Sequence, residues 1–180
     1  IAKGADVKRM MAELFGRKDG YSKGKGGSMH IADFTVGHLG ANAIVGGGVP
    51  IATGAATASR YLKDGQVVCC FAGDGAYANG VVLESLNWAS QYQWKNFLAG
   101  DKAYGLPIVY VIQNNHYGMT HRTDDEVMGV KTLAQRGVGF ADDGTPLNVN
   151  ADEAAFNEPR TPKARPKRSN GSPTPTSTRS

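Results

Sequence analysis

The stretch CCFAGDGAYANG, residues 69–80, places a single carboxylate between two glycines at the end of an apolar run. The six residues before Gly73, VVCCFA, favour a buried β-strand, because short apolar runs that end at turn residues are typical of one. Asp74 follows with a glycine on each side, which leaves the backbone bare. A phosphate group could approach the peptide N–H groups of such a turn. The carboxylate would repel that phosphate unless a cation lay between them.

A second strand and a pair of asparagines repeat this arrangement. Residues 81–92 predict a helix, and residues 108–112, IVYVI, predict a second apolar strand that ends close to Asn114 and Asn115. A strand–helix–strand unit forms a parallel pair with a right-handed crossover, so the sequence predicts an α/β fold. The carboxyl ends of both strands then lie at one edge of the sheet, where open α/β sheets bind ligands. We therefore expect Asp74 and the two asparagines to meet at that edge.

Carboxylate and amide oxygens at one edge suit a hard divalent cation. Mg²⁺ prefers an octahedron of oxygens, and proteins hold it through one or two carboxylates or amides together with phosphate oxygens. The residue chemistry thus predicts a diphosphate site bridged by Mg²⁺. The structural alternative is that Asp74 caps a turn or helix and that the asparagines only form a turn.

The first 62 residues predict two helices separated by a glycine-rich loop. Residues 5–15 have apolar side chains at helical spacing, and Gly16 ends the pattern. Residues 16–30, GRKDGYSKGKGGSMH, contain five glycines and four Lys or Arg residues without periodicity, so they predict a loop. This loop is either a flexible surface connection or a backbone that passes close to a ligand or partner, which only glycine permits. A helix rich in small residues is expected around Pro50, and a short helix near residues 130–136. The apolar positions of the first helix are Val7, Met10, Met11 and Leu14.

The composition indicates one folded domain, residues 1–156, followed by a basic tail. The chain has 180 residues, 41% of them hydrophobic, which is enough for a core. Its net charge of +4 arises in residues 157–180, where six Lys or Arg residues face one Glu, so the remainder is almost neutral. The tail also holds five prolines and eight Ser or Thr residues, and we expect it to be disordered. Neither nucleic-acid binding nor a membrane span of ~18 apolar residues is indicated.

Several further residues receive structural interpretations. Cys69 and Cys70 are adjacent in a strand and point to opposite faces, so a disulfide between them is not expected. Both are expected to be small buried hydrophobic residues, which suits a reducing compartment. Trp88 and Trp94 are expected in the core or an interface, and the acidic TDDE at residues 123–126 in a solvated loop.

Four blocks of sequence, in order along residues 1–150, resemble the alpha subunit of the E1 component of 2-oxo acid dehydrogenase complexes. The blocks are MAELFGRKDGYSKGKGGSMH, AIVGGGVPIATGAA, GDGAYANG with LESLNWA, and LPIVYVIQNNHYGM. Within them, GDG and NN resemble the thiamin diphosphate motif. The pyruvate and acetoin dehydrogenase branches are more similar to the chain than the branched-chain one. The resemblance implies the thiamin-diphosphate-binding fold, an α/β fold with helices on both faces of a parallel sheet, here incomplete.

The resemblance also implies a cofactor site. Asp74, the Asn115 side chain and the Tyr117 backbone carbonyl would bind Mg²⁺ in this family's arrangement. Gly75 and Ala76 would offer backbone N–H groups to the diphosphate of the cofactor.

The remaining implied residues would contact the organic part of the cofactor or the substrate. Main-chain atoms around Ile44 and Val45 would hold the aminopyrimidine, and Met119 would wedge the cofactor into its bent shape. His30, at the end of the glycine-rich loop, would be a catalytic residue near the active site.

The function that follows from the resemblance is thiamin-diphosphate-dependent oxidative decarboxylation of a 2-oxo acid, with pyruvate favoured, and transfer of the acyl group to a lipoyl carrier. The expected partners are an E1 beta subunit, which completes the site, and a lipoyl-bearing E2 acyltransferase, in an α2β2 enzyme. The expected compartment is the bacterial cytoplasm or the mitochondrial matrix. The alternative is a non-catalytic or truncated interaction subunit that keeps the fold but not turnover. A Rossmann dinucleotide site is not indicated, because GGGVPIATG lacks the GxGxxG spacing.

Three features depart from the family pattern. The GDG and NN motifs are separated by 38 residues, Ala76 to Gln113, which is longer than usual, and the surplus falls in residues 93–105. Ala78 stands where the family has an asparagine, and Asn79 follows one position later. Family segments that would precede Ile1 and follow residue 156 are not found, so we expect a fragment that encodes cofactor recognition but not turnover alone.

Overall fold

A parallel β-sheet forms the centre of the structure, a computed structural model that describes residues 1–91, 93–96, 105–129, 133–140 and 149–150. Its three strands are adjacent in chain order, and both pairings are parallel. The strands are β1 (Val68–Gly73), β2 (Ile108–Gln113) and β3 (Val149–Asn150).

Three longer α-helices and several short helical turns accompany the sheet in the described part of the chain. The α-helices are α1 (Val7–Leu14), α2 (Gly48–Leu62), α3 (Gly80–Ser90), α4 (Gln93–Asn96) and α5 (Thr123–Glu126). The 3₁₀-helices are Gly27–His30, Phe34–Val36, Asp74–Ala78 and Leu133–Phe140.

The order β1, α3, β2 confirms the predicted strand–helix–strand unit. The strands pair in parallel from Val68 with Ile108 to Gly73 with Gln113. The residues that follow the last pair, Asp74 and Asn114, therefore leave the sheet at the same edge. This register decides where the candidate site lies.

Helices α2 and α3 pack against the same face of the sheet, through Tyr110 on β2. The Tyr110 hydroxyl lies 2.7 Å from Thr53 Oγ1 of α2 and donates to the Ser85 carbonyl of α3 at 3.4 Å. Burial raises the pKa of Tyr110 to about 12, so the hydroxyl stays protonated in this contact. Around it lies the apolar core, in which Tyr77, Leu86, Val49 and Val82 are the largest fully buried apolar side chains.

The two cysteines show that the described helices cover one face of the sheet. Cys70 points toward α2 and is buried, which raises the pKa of its thiol to about 11. Cys69 is exposed, and so is Phe71, which shares its face. The expectation that both cysteines are buried is therefore wrong for Cys69, because strand neighbours alternate between a covered and an uncovered face. The predicted α/β fold, a parallel sheet with helices, is confirmed; within the described residues the helices cover one face of the sheet rather than both.

The tryptophans join α3 to its surroundings. Trp94 is buried, and its ring packs edge-on against Trp88 with 5.3 Å between ring centroids. Trp88 is partly exposed and donates from Nε1 to Thr57 Oγ1 of α2 at 3.2 Å. Both thus serve packing, as predicted.

Helix α1 forms where the apolar spacing predicted it, but its buried residue is a different one. Val7, Met11 and Leu14 are exposed, whereas Glu13 has only 1% of its surface exposed. Apolar spacing alone therefore identified the helix but not the side that is buried in this chain.

The glycine-rich loop is wound around Glu13. The two carboxylate oxygens accept hydrogen bonds of 2.7–3.0 Å from four backbone N–H groups, those of Ser22, Gly24, Gly26 and Gly27. Burial alone raises the pKa of Glu13, but these four hydrogen bonds favour the charged form and bring the pKa below its usual 4.5. The loop is therefore built on a carboxylate saturated by backbone donors.

Glycine is required where this loop comes closest to other backbone. A Cβ atom at Gly20 would lie 2.4 Å from Glu13 Oε2, and one at Gly24 would lie 2.3 Å from the Gly16 carbonyl carbon. Gly24 also has a φ of 75°, which residues other than glycine rarely adopt. The glycines of this loop thus permit a close backbone approach. In the structure they approach other residues of the same chain, Glu13 and Gly16.

Some predictions fall on other parts of the chain. The basic tail, residues 157–180, lies outside the described residues, as do residues 130–132 of the expected short helix and residues 97–104 of the inserted segment. Within the described ranges, no helix has the length and apolar character needed to cross a membrane.

Candidate functional site

The candidate site begins at Asp74, directly after β1. Asp74 starts the 3₁₀-helix Asp74–Ala78 and is 2% exposed. Its Oδ2 atom accepts a hydrogen bond from the Thr123 hydroxyl, and Thr123 is equally buried. This is the one hydrogen bond that the described residues make to the Asp74 side chain. A buried carboxylate with so few donors retains oxygen lone pairs for a cation.

The loop after β2 supplies the amide oxygens. Asn114 Oδ1 accepts from the His116 N–H at 3.1 Å, and Asn115 Oδ1 accepts from the Tyr117 N–H at 2.9 Å. Each asparagine therefore shapes its own turn, as the structural alternative expected. An amide oxygen has two lone pairs, so this bond leaves Asn115 able to bind a metal ion as well.

The same loop folds back on itself and returns to Asp74. Tyr117 forms an antiparallel bridge with Arg122, and the Thr123 N–H donates to the His116 carbonyl at 3.0 Å. This small hairpin carries Thr123, which the sequence places far from residue 74, onto the carboxylate. The hairpin is thus the element that positions the donor to Asp74.

The turns after β1 and β2 are in contact. A Cβ atom at Gly75 would lie 3.5 Å from Gly118 Cα and 3.7 Å from Thr123 Cγ2, which is ordinary van der Waals separation. The predicted meeting of the two strand ends at one edge is confirmed by this proximity and by the strand register. The longer segment between the motifs does not prevent it, as expected for an insertion outside the sheet.

The expectation of a solvated acidic loop at residues 123–126 is wrong in its secondary structure, and its first residue is not solvated. These residues form α5, and Thr123 is buried. The acidic Asp124 is exposed and pairs with Arg122 at 2.6 Å. Arg122 also lies over the Tyr117 ring at 5.5 Å, and its hydrogen bond lowers the pKa of Asp124. The segment thus contributes Thr123 to the candidate site and Asp124 to a surface ion pair with Arg122.

The segment expected to hold an aminopyrimidine lies just before α2. Ile44 and Val45 are exposed, and the Val45 carbonyl accepts a 3.2 Å hydrogen bond from Asn79 Nδ2. Asn79 belongs to the turn after β1, where its Oδ1 accepts from the Val81 N–H and caps α3. The Ile44–Val45 segment is therefore tied to the same edge of the sheet as Asp74.

Of the remaining predicted site residues, Ala76 is buried in the 3₁₀-helix after β1, whereas Met119, Tyr117 and His30 are exposed. Met119 is 93% exposed, at the tip of the loop after β2, and Tyr117 is also exposed in that loop. His30 is exposed at the end of the 3₁₀-helix Gly27–His30, and its carbonyl accepts from Ser22 Oγ at 3.3 Å. The described contacts of His30 are thus with its own loop, and its catalytic role stays a prediction.

Oxygen ligands are the chemistry that this edge offers. The described residues contain no group of three or more His, Cys, Asp or Glu side chains able to hold a metal ion. One carboxylate, one side-chain amide and a neighbouring main-chain carbonyl fit Mg²⁺, which takes its remaining ligands from water and phosphate. The residues present therefore fit a magnesium diphosphate group.

Sequence reasoning missed Thr123 and the structural role of Asn79. Thr123 carried no signal, because its position depends on how the loop after β2 folds back. Asn79 had a detectable one: an asparagine one residue before Gly80 at the start of an apolar helix is typical of a helix N-cap.

Comparison with known proteins identifies the family. The model of the dehydrogenase E1 component family matches residues 1–156. The chain belongs to this family. It is 40% identical over 148 residues, 82% of the chain and 40% of the relative, to the alpha subunit of acetoin:2,6-dichlorophenolindophenol oxidoreductase of Cupriavidus necator. The corresponding Bacillus subtilis subunit is 48% identical over 118 residues, 66% of the chain and 32% of the relative.

The pyruvate dehydrogenase branch is similar to a comparable degree. The E1 alpha subunit of pyruvate dehydrogenase of Rickettsia typhi is 38% identical over 157 residues, 87% of the chain and 44% of the relative. Pyruvate dehydrogenase E1 alpha subunits named as mitochondrial, from Rattus norvegicus and Pisum sativum, match as well. The chain spans less than half the length of each of these curated relatives.

Proposed function

We propose that this dehydrogenase E1 chain binds Mg²⁺ and thiamin diphosphate at the edge formed by the turns after β1 and β2. The observation that supports the proposal is the parallel register of Gly73 with Gln113, which brings the buried Asp74 carboxylate and Asn115 to one edge. Family membership supplies the cofactor class. In this arrangement Asp74, Asn115 and the Tyr117 carbonyl bind Mg²⁺.

Other residues at this edge are proposed to contact the rest of the cofactor. The N–H groups of Gly75 and Ala76 would bind the diphosphate, the Ile44–Val45 segment would bind the aminopyrimidine, and Met119 would contact the organic part of the cofactor. When bound, the cofactor supplies an electron sink for decarboxylation of a 2-oxo acid. The chain's own residues would hold and orient it, and His30 would be a catalytic residue near the substrate.

The complete protein is proposed to be an E1 alpha subunit that works with an E1 beta subunit in an α2β2 enzyme. It would oxidatively decarboxylate a 2-oxo acid, with pyruvate favoured, and pass the acyl group to the lipoyl group of an E2 acyltransferase. Relatives named for acetoin and for pyruvate match to a similar degree, so identity alone does not select the substrate.

Calorimetric titration of the 180-residue chain tests the cofactor site. We expect thiamin diphosphate to bind only when Mg²⁺ is present. Asp74→Asn removes the metal-binding charge with little change of shape. Affinity should fall by at least ~100-fold, because a metal ligand should matter at least as much as a residue that only orients one.

The matched control is Asp124→Asn, which makes the same chemical change at an exposed ion pair nearby. It should leave binding within ~2-fold of wild type, because exposed ion pairs contribute little. Binding that needs no Mg²⁺, or no binding at all, would instead support a non-catalytic interaction subunit.

A further inference from the structure

The Asn79 side chain joins two segments that contact different parts of the proposed cofactor. Its Oδ1 accepts from the Val81 N–H, and its Nδ2 donates to the Val45 carbonyl, each at 3.2 Å. The first bond fixes Asn79 to the start of α3. The second reaches a residue 34 positions earlier, in the loop before α2. We refer to the Asn79–Val45 hydrogen bond as the Asn79 bridge.

Close packing of Gly46 supports the Asn79 bridge. A Cβ atom at Gly46 would lie 3.0 Å from Asn79 Nδ2 and 3.1 Å from Asn79 Cβ. Gly46 also has a φ of 82°, which favours glycine. Because the backbone of this loop lies directly against the Asn79 side chain, the hydrogen bond is one part of a wider contact. Gly46, the first of three consecutive glycines, is thus needed because the Asn79 side chain packs against it.

The position of this contact gives it a consequence for binding. Ile44 and Val45 are exposed, so their loop has little other packing to hold it. The turn with Gly75 and Ala76 is fixed to the sheet and to α3. A ligand that spans both segments binds best when the distance between them is set in advance, because ordering a loop on binding costs free energy.

We propose that Asn79 is a positioning residue that holds the Ile44–Val45 segment at a fixed distance from the Asp74–Ala78 turn, and so aligns the aminopyrimidine subsite with the diphosphate subsite. This inference rests on the proposed function. It predicts that loss of the Asn79 bridge weakens ligands that occupy both subsites and spares ligands that occupy only the diphosphate subsite.

Asn79→Ser tests this with little disturbance of the helix. Serine is about as good an N-cap residue as asparagine and is neutral, but it has no amide nitrogen to reach Val45. Two probes are titrated in the presence of Mg²⁺: inorganic pyrophosphate, which fills the diphosphate subsite, and thiamin diphosphate, which fills both. We expect pyrophosphate to bind within ~2-fold of wild type and thiamin diphosphate to bind ~3–10-fold more weakly, the effect of one ordinary hydrogen bond.

Gly46→Ala approaches the same contact from the other side. Its Cβ atom would push the Asn79 side chain by a few tenths of an ångström, and the φ of 82° would strain the loop, so the same selective loss of thiamin diphosphate affinity is expected. Asn79→Ala serves as the structural comparison, because it removes the cap of α3 as well. It should lower Tm, as read by circular dichroism, further than Asn79→Ser does.

The outcomes separate this inference from the proposed function. A wild-type chain that binds neither probe overturns both. A wild-type chain that binds both probes, with Asn79→Ser weakening the two equally or not at all, overturns the positioning role alone. Selective loss of thiamin diphosphate in Asn79→Ser and Gly46→Ala supports it.

Discussion

Glu13 and Asp74 are both carboxylates with almost no exposed surface, but their hydrogen-bond partners differ. Glu13 accepts hydrogen bonds from four backbone N–H groups of the glycine-rich loop. Asp74 accepts one within the described part of the chain, from the Thr123 hydroxyl. A buried charge costs free energy unless hydrogen bonds or an ion compensate it. Glu13 is compensated by the chain itself, whereas Asp74 has one donor in the described residues, which suits the cation binding proposed above.

Replacing each carboxylate by its amide gives the largest expected contrast. In Glu13→Gln, the amide NH₂ would face backbone N–H donors, so at least one donor pair would lose its acceptor. We expect Tm to fall by ~10 °C or more. In Asp74→Asn, the amide oxygen can still accept from Thr123 and an uncompensated charge is removed, so Tm should stay within ~3 °C of wild type without ligand. Thermal unfolding followed by circular dichroism measures both, and equal losses would contradict the comparison.

The pH dependence of stability should follow Glu13. Hydrogen bonding holds the pKa of Glu13 in the folded chain below the usual 4.5. The carboxylate therefore stabilises the fold above about pH 4.5, and that stabilisation is lost as the pH falls through the folded-state pKa. Urea unfolding between about pH 6 and pH 3 should show the midpoint falling on the acid side. This part of the fall should be absent in Glu13→Gln; if the variant retains it, other carboxylates are responsible.

Thr123 tests whether the hydroxyl orients Asp74 for a cation. Thr123→Val keeps the shape but removes the hydroxyl, which should lower the free energy of unfolding by ~1–2 kcal/mol. Magnesium-dependent thiamin diphosphate affinity should fall by ~10-fold, as is usual for a residue that orients a metal ligand. Thr123→Ser keeps the donor and is the matched control. If Thr123→Ser and Thr123→Val lose affinity equally, the contact is one of packing.

Tyr77 should give the smallest effect, of opposite sign. Tyr77 lies in the 3₁₀-helix that begins at Asp74, and its buried hydroxyl has no hydrogen-bond partner in the described residues. Burial raises the pKa of this hydroxyl. Tyr77→Phe removes an uncompensated polar atom, so the free energy of unfolding should stay equal or rise by up to ~1 kcal/mol. A loss of stability in urea unfolding would show that the hydroxyl has a partner elsewhere.

The two regions also differ in how far sequence reasoning could describe them. The edge with Asp74 and Asn115 was predictable, because each motif follows an apolar strand and parallel strands end at one edge. Glu13 was not predictable as a buried residue. It lies among exposed helix positions, and its burial is caused by a loop without periodicity that wraps around it. The alternation within β1 predicted opposite faces for Cys69 and Cys70, but which face is covered depends on α2 and α3.

The sequence by itself determined the strand–helix–strand unit, the pair of polar strand ends and the family, because these depend on local periodicity and on motifs within short segments. The tertiary structure decided three contacts between distant residues. Thr123 donates to Asp74, Asn79 donates to the loop before α2, and four backbone N–H groups donate to Glu13. Such contacts join residues far apart in the chain, and their geometry is set by the path of loops in which local preferences are weak. The fold can thus be recognised from patterns, whereas the compensation of each buried charge depends on the folded chain as a whole.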